Sequence, residues 1–289
     1  MKVPENADLS VALIHDVFFD RDPARRLRDR LTEAKERGAD LAVLPEIPCN
    51  PWSPASRSPR DDDAEAPGGR RQAMQAEAAA SVGIGLVGGA IICDPESGQR
   101  HNTALIYDER GHLVGTHRKW HIPDEPGFWE ADHYEPGEQP PQVIDAFAMQ
   151  LGVQICSDVN RPEGSHLLSA LGAEAIIAPR ATEQATIHRW RPVFMANALT
   201  SACYVLSVNR PGPEDGVLIG GPSIAISPLG ETLLDSIEPV AIVHLERRVV
   251  ESARKAYPGY LPVRADLYRK GWTEVISRSE AQSSSAPTA

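Results

Sequence analysis

Three residues with complementary chemistry stand where apolar runs of this chain give way to polar ones. Cys156 follows Leu151-Gly152-Val153-Gln154-Ile155 and precedes Ser157-Asp158-Val159-Asn160-Arg161-Pro162-Glu163. Glu46 ends the run Leu41-Ala42-Val43-Leu44-Pro45, and Lys119 follows Leu113-Val114-Gly115-Thr116-His117-Arg118. A thiol at the carboxyl end of a core strand, where strand turns into helix, is held rigidly yet opens toward solvent, the place where α/β enzymes put a nucleophile. A carboxylate beside a strand end can act as a general base, and an ammonium can stabilise a developing oxyanion. Taken singly, each has a commonplace explanation: a solvated carboxylate, a member of the basic cluster His117-Arg118-Lys119, an inert buried thiol. His117 and His121 are four apart, but Arg118 follows the first where a zinc-protease helix needs Glu, so no metal is expected.

The elements that must position these residues follow from pattern. Residues 10–14 read as a buried strand, Asp22-Pro23 as a helix start with proline in the first turn, and Leu27, Leu31 and Ala34 as one helix face stopped by Gly38. Residues 40–45 form the next strand, so the chain opens β-α-β. Residues 48–69, rich in Pro, Ser, Arg and Asp, read as a long surface loop suited to shaping a pocket. A helix over 70–81 and a strand over 84–92 follow, then a hairpin of 102–107 and 112–116 around Asp108-Glu109-Arg110-Gly111. Beyond an irregular stretch at 120–141 come helices at 163–171 and 186–202 and strands at 173–179, 203–208, 221–227 and 240–245. Strand-helix-strand units mixed with hairpins imply an α/β fold of mixed sheets covered by helices. No composition shift marks a second domain, so residues 1–278 read as one domain, with a Ser/Ala/Gln-rich tail at 279–289 expected to be disordered.

The 289 residues are 42% hydrophobic, enough for one large core, and the formal charge of -11 repels polyanions, so nucleic acid is not expected as a partner. No apolar run approaches the roughly 20 residues that span a bilayer, and the amino terminus has no signal-peptide apolar region; the protein is expected to be cytoplasmic. Four cysteines in a chain of this length do not make a disulfide framework, which leaves a working thiol available.

The joint placement of Glu46, Lys119 and Cys156, with their flanks, resembles the nitrilase superfamily of carbon-nitrogen hydrolases. The matching stretches are Leu44-Pro45-Glu46, Asn102-Thr103-Ala104-Leu105, Lys119-Trp120-His121-Ile122-Pro123-Asp124 and Gly152-Val153-Gln154-Ile155-Cys156-Ser157-Asp158 with Pro162-Glu163. The run from Lys119 through Glu125-Pro126-Gly127-Phe128-Trp129-Glu130 to Tyr134-Glu135-Pro136-Gly137 looks most like the N-carbamoylputrescine amidase and β-ureidopropionase branch, in which a second carboxylate lies shortly after the lysine; Glu130 occupies that place. The resemblance implies a four-layer α-β-β-α sandwich, a homodimer or larger homo-oligomer, no cofactor, and a catalytic set of Glu46, Lys119, Glu130 and Cys156, with the Ser157 backbone N–H on the oxyanion. The best substrate reading is a small N-carbamoyl amine or amino acid. A plain aliphatic amide, a nitrile, or a non-catalytic homologue that kept the fold remain alternatives.

The chain also departs from that pattern. The arginine usual after Pro-Glu is missing, while Arg161 lies five residues beyond Cys156 and Arg180 follows the next strand. Guanidinium groups at strand ends suit a carboxylate, so Arg161 and Arg180 are expected to bind a polar or anionic substrate tail, with Trp129 also at the substrate, while Asp124 and Glu125 leave a cationic tail open.

Overall fold

Period-two alternation decides which way each strand faces, and the computed structural model, which describes residues 7–284, shows both faces filled. In β1 (Leu9–Ile14), Val11 and Leu13 point to one core and Ala12 and Ile14 to another. The first core is also lined by Leu151 and Val153 of β6 (Leu151–Val153), Ile177 of β7 (Ala175–Arg180) and Leu206 of β8 (Tyr204–Asn209), so it lies between two sheets. The second is closed by Leu27, Leu31 and Ala34 of α1 (Pro23–Glu36) and Ala78 and Ala79 of α2 (Arg70–Val82). On the other side, Phe194 and Ala198 of α4 (Ile187–Ser201) cover Ile176, Val205 and Ile224. Helix, sheet, sheet, helix is therefore the layer order, as expected. Each fully buried aliphatic side chain adds about 1.5–3 kcal/mol of burial free energy.

One sheet has six strands, in the order β11 (Val240–Leu245), β1, β2 (Leu41–Val43), β3 (Gly85–Cys93), β4 (Arg100–Tyr107), β5 (Leu113–Arg118). Its β1-β2 and β2-β3 pairs are parallel and the others antiparallel. The second has five, in the order β10 (Thr232–Ser236), β9 (Ser223–Ile226), β8, β7, β6, with β6-β7 and β7-β8 parallel. Between β6 and β7 lies α3 (Pro162–Ala170). Helix α1 starts where Asp22-Pro23 predicts, with proline in its first turn; the Asp22 side chain makes no cap, and the residue is left-handed at φ 53°. Strand β10 and the strongly amphipathic α5 (Arg247–Lys255) were not expected, because β10 has mostly exposed residues and α5 buries only Val250 and Ala253.

Contacts divide the chain into a unit ending at Gly259 and a second beginning at Tyr260. The second unit contains α6 (Ala265–Ser284), on which Leu267, Tyr268, Trp272, Val275 and Ile276 are exposed. The helix includes residues 279–284, which composition had suggested to be disordered; residues 285–289 lie outside the described part. No described helix is long and apolar enough to cross a membrane.

Candidate active site

Glu46, Lys119 and Cys156 arrive from three strand ends and two sheets. Beyond β2, the Leu44 N–H bonds Val87 O at 2.8 Å, so the chain stays on the sheet until Pro45 and Glu46. Lys119 N–H bonds Asn102 O at 2.9 Å, one residue past the end of β5, and Gln154 N–H bonds Ile177 O at 3.0 Å, one past β6. Lys119 thus makes the last bond of its ladder, and Glu46 and Cys156 each lie two residues past theirs, all on a rigid support. Cys156 opens a short 3-10 helix (Cys156–Asn160) with φ at 47°, a left-handed conformation costing about 1–3 kcal/mol for a side-chain residue. The bend lifts the thiol off the strand direction.

The charges form one buried cluster. Lys119 Nζ lies 2.7 Å from Glu46 Oε1 and 2.7 and 2.6 Å from Glu130 Oε1 and Oε2, and all three side chains are at most 1% exposed. Asn102 Nδ2 donates a second bond to Glu46 Oε1 at 2.8 Å, while Glu46 Oε2 is buried with no partner among the described residues. Burial works against charge on Lys119, but Glu130 and Glu46 outweigh it and hold the ammonium protonated well above its ordinary range. Burial raises Glu130 above the usual carboxylate range, against the pull of Lys119. Burial and the Glu46 carboxylate likewise push the Cys156 thiol far up, only partly offset by Lys119. Burial and the neighbouring carboxylates thus favour the protonated thiol over the thiolate. Moving its proton to Glu46 relocates a negative charge in the cluster without adding one, which makes that transfer feasible where free ionisation is not.

A cavity of about 270 Å³ opens on the cluster, lined among others by Glu130, Cys156, Ser157, Ala181 and Thr182. Phe128 and Trp190 also face it, and so do Glu125, Glu183 and Arg189, whose charged groups make no hydrogen bond or ion pair among the described residues. This volume lies just below the usual range for ligand pockets and suits a small substrate.

The other expected site residues are placed differently. Ser157 lines the cavity, its hydroxyl bonded to His121 O. As the second residue of its short helix, it has an N–H of the kind that lacks an intrahelical partner. Trp129 is outside the lining, its ring under the Arg57 guanidinium at 3.6 Å; the neighbouring Phe128 faces the cavity instead. Arg161 is exposed on the residue before α3 and does not line the cavity. Arg180 is fully buried, donating to Ser207 Oγ at 2.8 Å and to Thr182 Oγ1 and Pro222 O. Burial lowers it to about 9, still charged at neutral pH. It supports Thr182, which lines the cavity, and does not reach the cavity itself.

Asp158 was not read as a site residue, yet it ties the strand ends together. Its Oδ1 accepts the backbone N–H groups of Trp120 and His121, both at 3.0 Å, and meets His121 Nδ1 at 3.1 Å; Oδ2 accepts Ile155 N–H and meets His117 Nε2, both at 2.9 Å. Burial alone would raise it, but the His117 and His121 rings and the Ile155 N–H hold it well below the ordinary carboxylate range. His117 and His121 thus both bond this carboxylate. The available signal was the carboxylate two residues after Cys156, just beyond the end of an apolar strand run.

Comparison with known proteins accords with this geometry. Residues 6–255 match the carbon-nitrogen hydrolase family. The chain belongs to that family. It is 30% identical to a chloroplastic omega-amidase of Arabidopsis thaliana over 83% of this chain and 67% of the relative. Among solved structures, Nit3 of Saccharomyces cerevisiae, a member of branch 10 of the nitrilase superfamily, superposes with TM-score 0.77 at 25% identity, covering 92% of this chain and 99% of that one. A mutant amidase from Nesterenkonia sp. AN1, in complex with butyramide, gives 0.72 at 25% identity over 93% and 99%. This chain is thus a cysteine-dependent carbon-nitrogen hydrolase of the nitrilase superfamily.

Proposed function

We propose that the protein hydrolyses small primary amides that carry a charged tail, through a thioester on Cys156. The observation that carries the reading is Glu46: one carboxylate oxygen is fixed by Asn102 and Lys119, and the other is a buried acceptor without a partner among the described residues, in the electrostatic field of the thiol. Glu46 Oε2 takes the Cys156 proton as sulfur attacks the carbonyl carbon, splitting one difficult displacement into two easier ones. Of the three N–H groups of Lys119, one goes to Glu46 and one can be shared by the two Glu130 oxygens, leaving the third for the oxyanion beside the Ser157 N–H. Such donors contribute about 3–4 kcal/mol each. Glu46 then gives its proton to the departing ammonia and later activates the water that cleaves the thioester.

The omega-amidase and butyramide-bound relatives support an amide as the acyl donor. The charged side chains of the cavity mouth support a polar tail, with Arg189 the cation placed to meet a carboxylate and Glu125 and Glu183 placed to meet an amine. An N-carbamoyl amine or amino acid is the second reading, favoured by the Lys119 to Gly137 run. Ammonia release from butyramide, glutaramate, 4-aminobutyramide, an N-carbamoyl amine and a nitrile, with Cys156→Ala as control, separates these. Turnover of the amides alone supports the first reading; turnover of the carbamoyl compound alone replaces it with the second. We also propose that the protein is a homodimer or larger assembly, supported by exposed Leu167 on α3 and Met195 on α4; light scattering measures this directly.

A further inference from the structure

The backbone turns sharply just after Glu46: Ile47 has φ at 38°, a left-handed conformation that an isoleucine holds only when its surroundings impose it. Arg210, the residue after β8, does the imposing. Its Nη1 donates to Glu46 O and Ile47 O, both at 2.9 Å, its Nη2 to Asn50 O at 3.0 Å and Glu214 Oε2 at 2.6 Å, and its Nε to Glu214 Oε1 at 3.0 Å. A guanidinium has five N–H donors, and here five acceptors meet them. The side chain is fully buried, with its central carbon 5.6 Å from the Trp52 ring and 5.9 Å from that of Phe19.

Glu214, 12% exposed, supplies the counter-charge and reaches further. Its Oε2 accepts the Trp52 N–H at 3.1 Å; Trp52 Nε1 donates to Gly127 O at 2.8 Å, and the Trp52 ring stands edge-on to Phe128 at 5.6 Å. Phe128 lines the cavity, and two residues on Glu130 binds Lys119. A single ion pair therefore holds both the turn after Glu46 and the loop that carries the cavity wall and the second carboxylate. Filling this space with apolar side chains would avoid the cost of desolvating a charge. What a guanidinium adds is the direction of three carbonyls in one turn.

We propose that the Arg210–Glu214 pair is a positioning device for the base: it aims Glu46 at the Cys156 thiol by fixing the turn that follows it, and it touches neither substrate nor reacting atoms. This inference rests on reading Glu46 as the base. Alkylation of Cys156 by iodoacetamide, followed by mass spectrometry of the Cys156 peptide, reports how well that base works. A misplacement of about 1 Å can cost about 10²-fold in rate, so Arg210→Lys, which keeps the charge but loses the fork, is expected to slow alkylation at least about tenfold. Glu214→Gln is expected to slow it several-fold and serves alone if Arg210→Lys fails to fold by circular dichroism. Because both act through Glu46, neither is expected to slow alkylation further in a Glu46→Gln background. Multiplying effects in that background would mark a general structural role and overturn the proposal. So would wild-type alkylation in the folded single variants while Glu46→Gln is slow. Wild-type alkylation by Glu46→Gln itself would instead remove the base assignment, and the proposal with it.

Discussion

The floor of the cavity and its mouth are built on opposite electrostatic plans. At the floor, Glu46 and Glu130 are buried and bonded to Lys119, and one Glu46 oxygen lacks a partner among the described residues. At the mouth, Glu125, Glu183 and Arg189 are partly or well exposed and make no bonds with the protein among the described residues. A buried charge must be paired or it costs several kcal/mol, so the floor tolerates little substitution; an exposed one is solvated and is free to exchange water for a ligand. The difference predicts that floor substitutions act on kcat and mouth substitutions on KM.

The largest effect is expected at the two residues that exchange the proton. Cys156→Ser and Glu46→Gln should reduce ammonia release to background while leaving the thermal unfolding midpoint of Cys156→Ser within a few degrees of wild type. Wild-type turnover by Glu46→Gln would break the assignment of the floor. Glu130→Gln should keep the shape of the cluster and lose the charge that holds Lys119, and a fall in kcat of about 10²-fold with little change in KM is expected. A change confined to KM would move Glu130 from the floor to the mouth.

Asp158 sharpens the comparison through stability. Its folded pKa is depressed, so its contribution is present above the unfolded value near 3.9 and lost as pH falls through the folded one. Asp158→Asn should cost about 3 kcal/mol at neutral pH, and the gap to wild type should narrow below about pH 4 in urea unfolding. A gap that stays constant down to pH 2 would remove the charge from the explanation. The smallest effect belongs to the mouth: Arg189→Gln should raise KM for glutaramate about tenfold and leave butyramide unchanged, with kcat within about twofold for both. Equal changes for the two amides would show that Arg189 shapes the cavity and does not read the tail.

Some of this was legible because it depends on local pattern. Strand runs ending in Glu46, Lys119 and Cys156 are visible as apolar periodicity followed by a chemically active residue, whereas Glu130 is visible only through the family resemblance of the run after Lys119. The expected roles of Arg161, Arg180 and Trp129 came from position along the chain, and chain position does not say which way a side chain leaves the backbone. Arg180 turns into the sheet toward Ser207 and Pro222, Trp129 turns under Arg57, and one residue earlier Phe128 takes the cavity.

By itself, then, hydrophobic period and strand termini, which are properties of neighbouring positions, marked the strands and the strand-end residues Glu46, Lys119 and Cys156, while the layer order and Glu130 came from the family resemblance. Only the tertiary structure decided that burial pushes the Cys156 thiol up, that Asp158 ties the 117–121 stretch to the end of β6, and that Arg210 grips a turn 160 to 164 residues away in the chain. These are consequences of burial and of convergence between distant segments. Desolvation, counter-charge and hydrogen-bond direction have no values until the two sheets have packed.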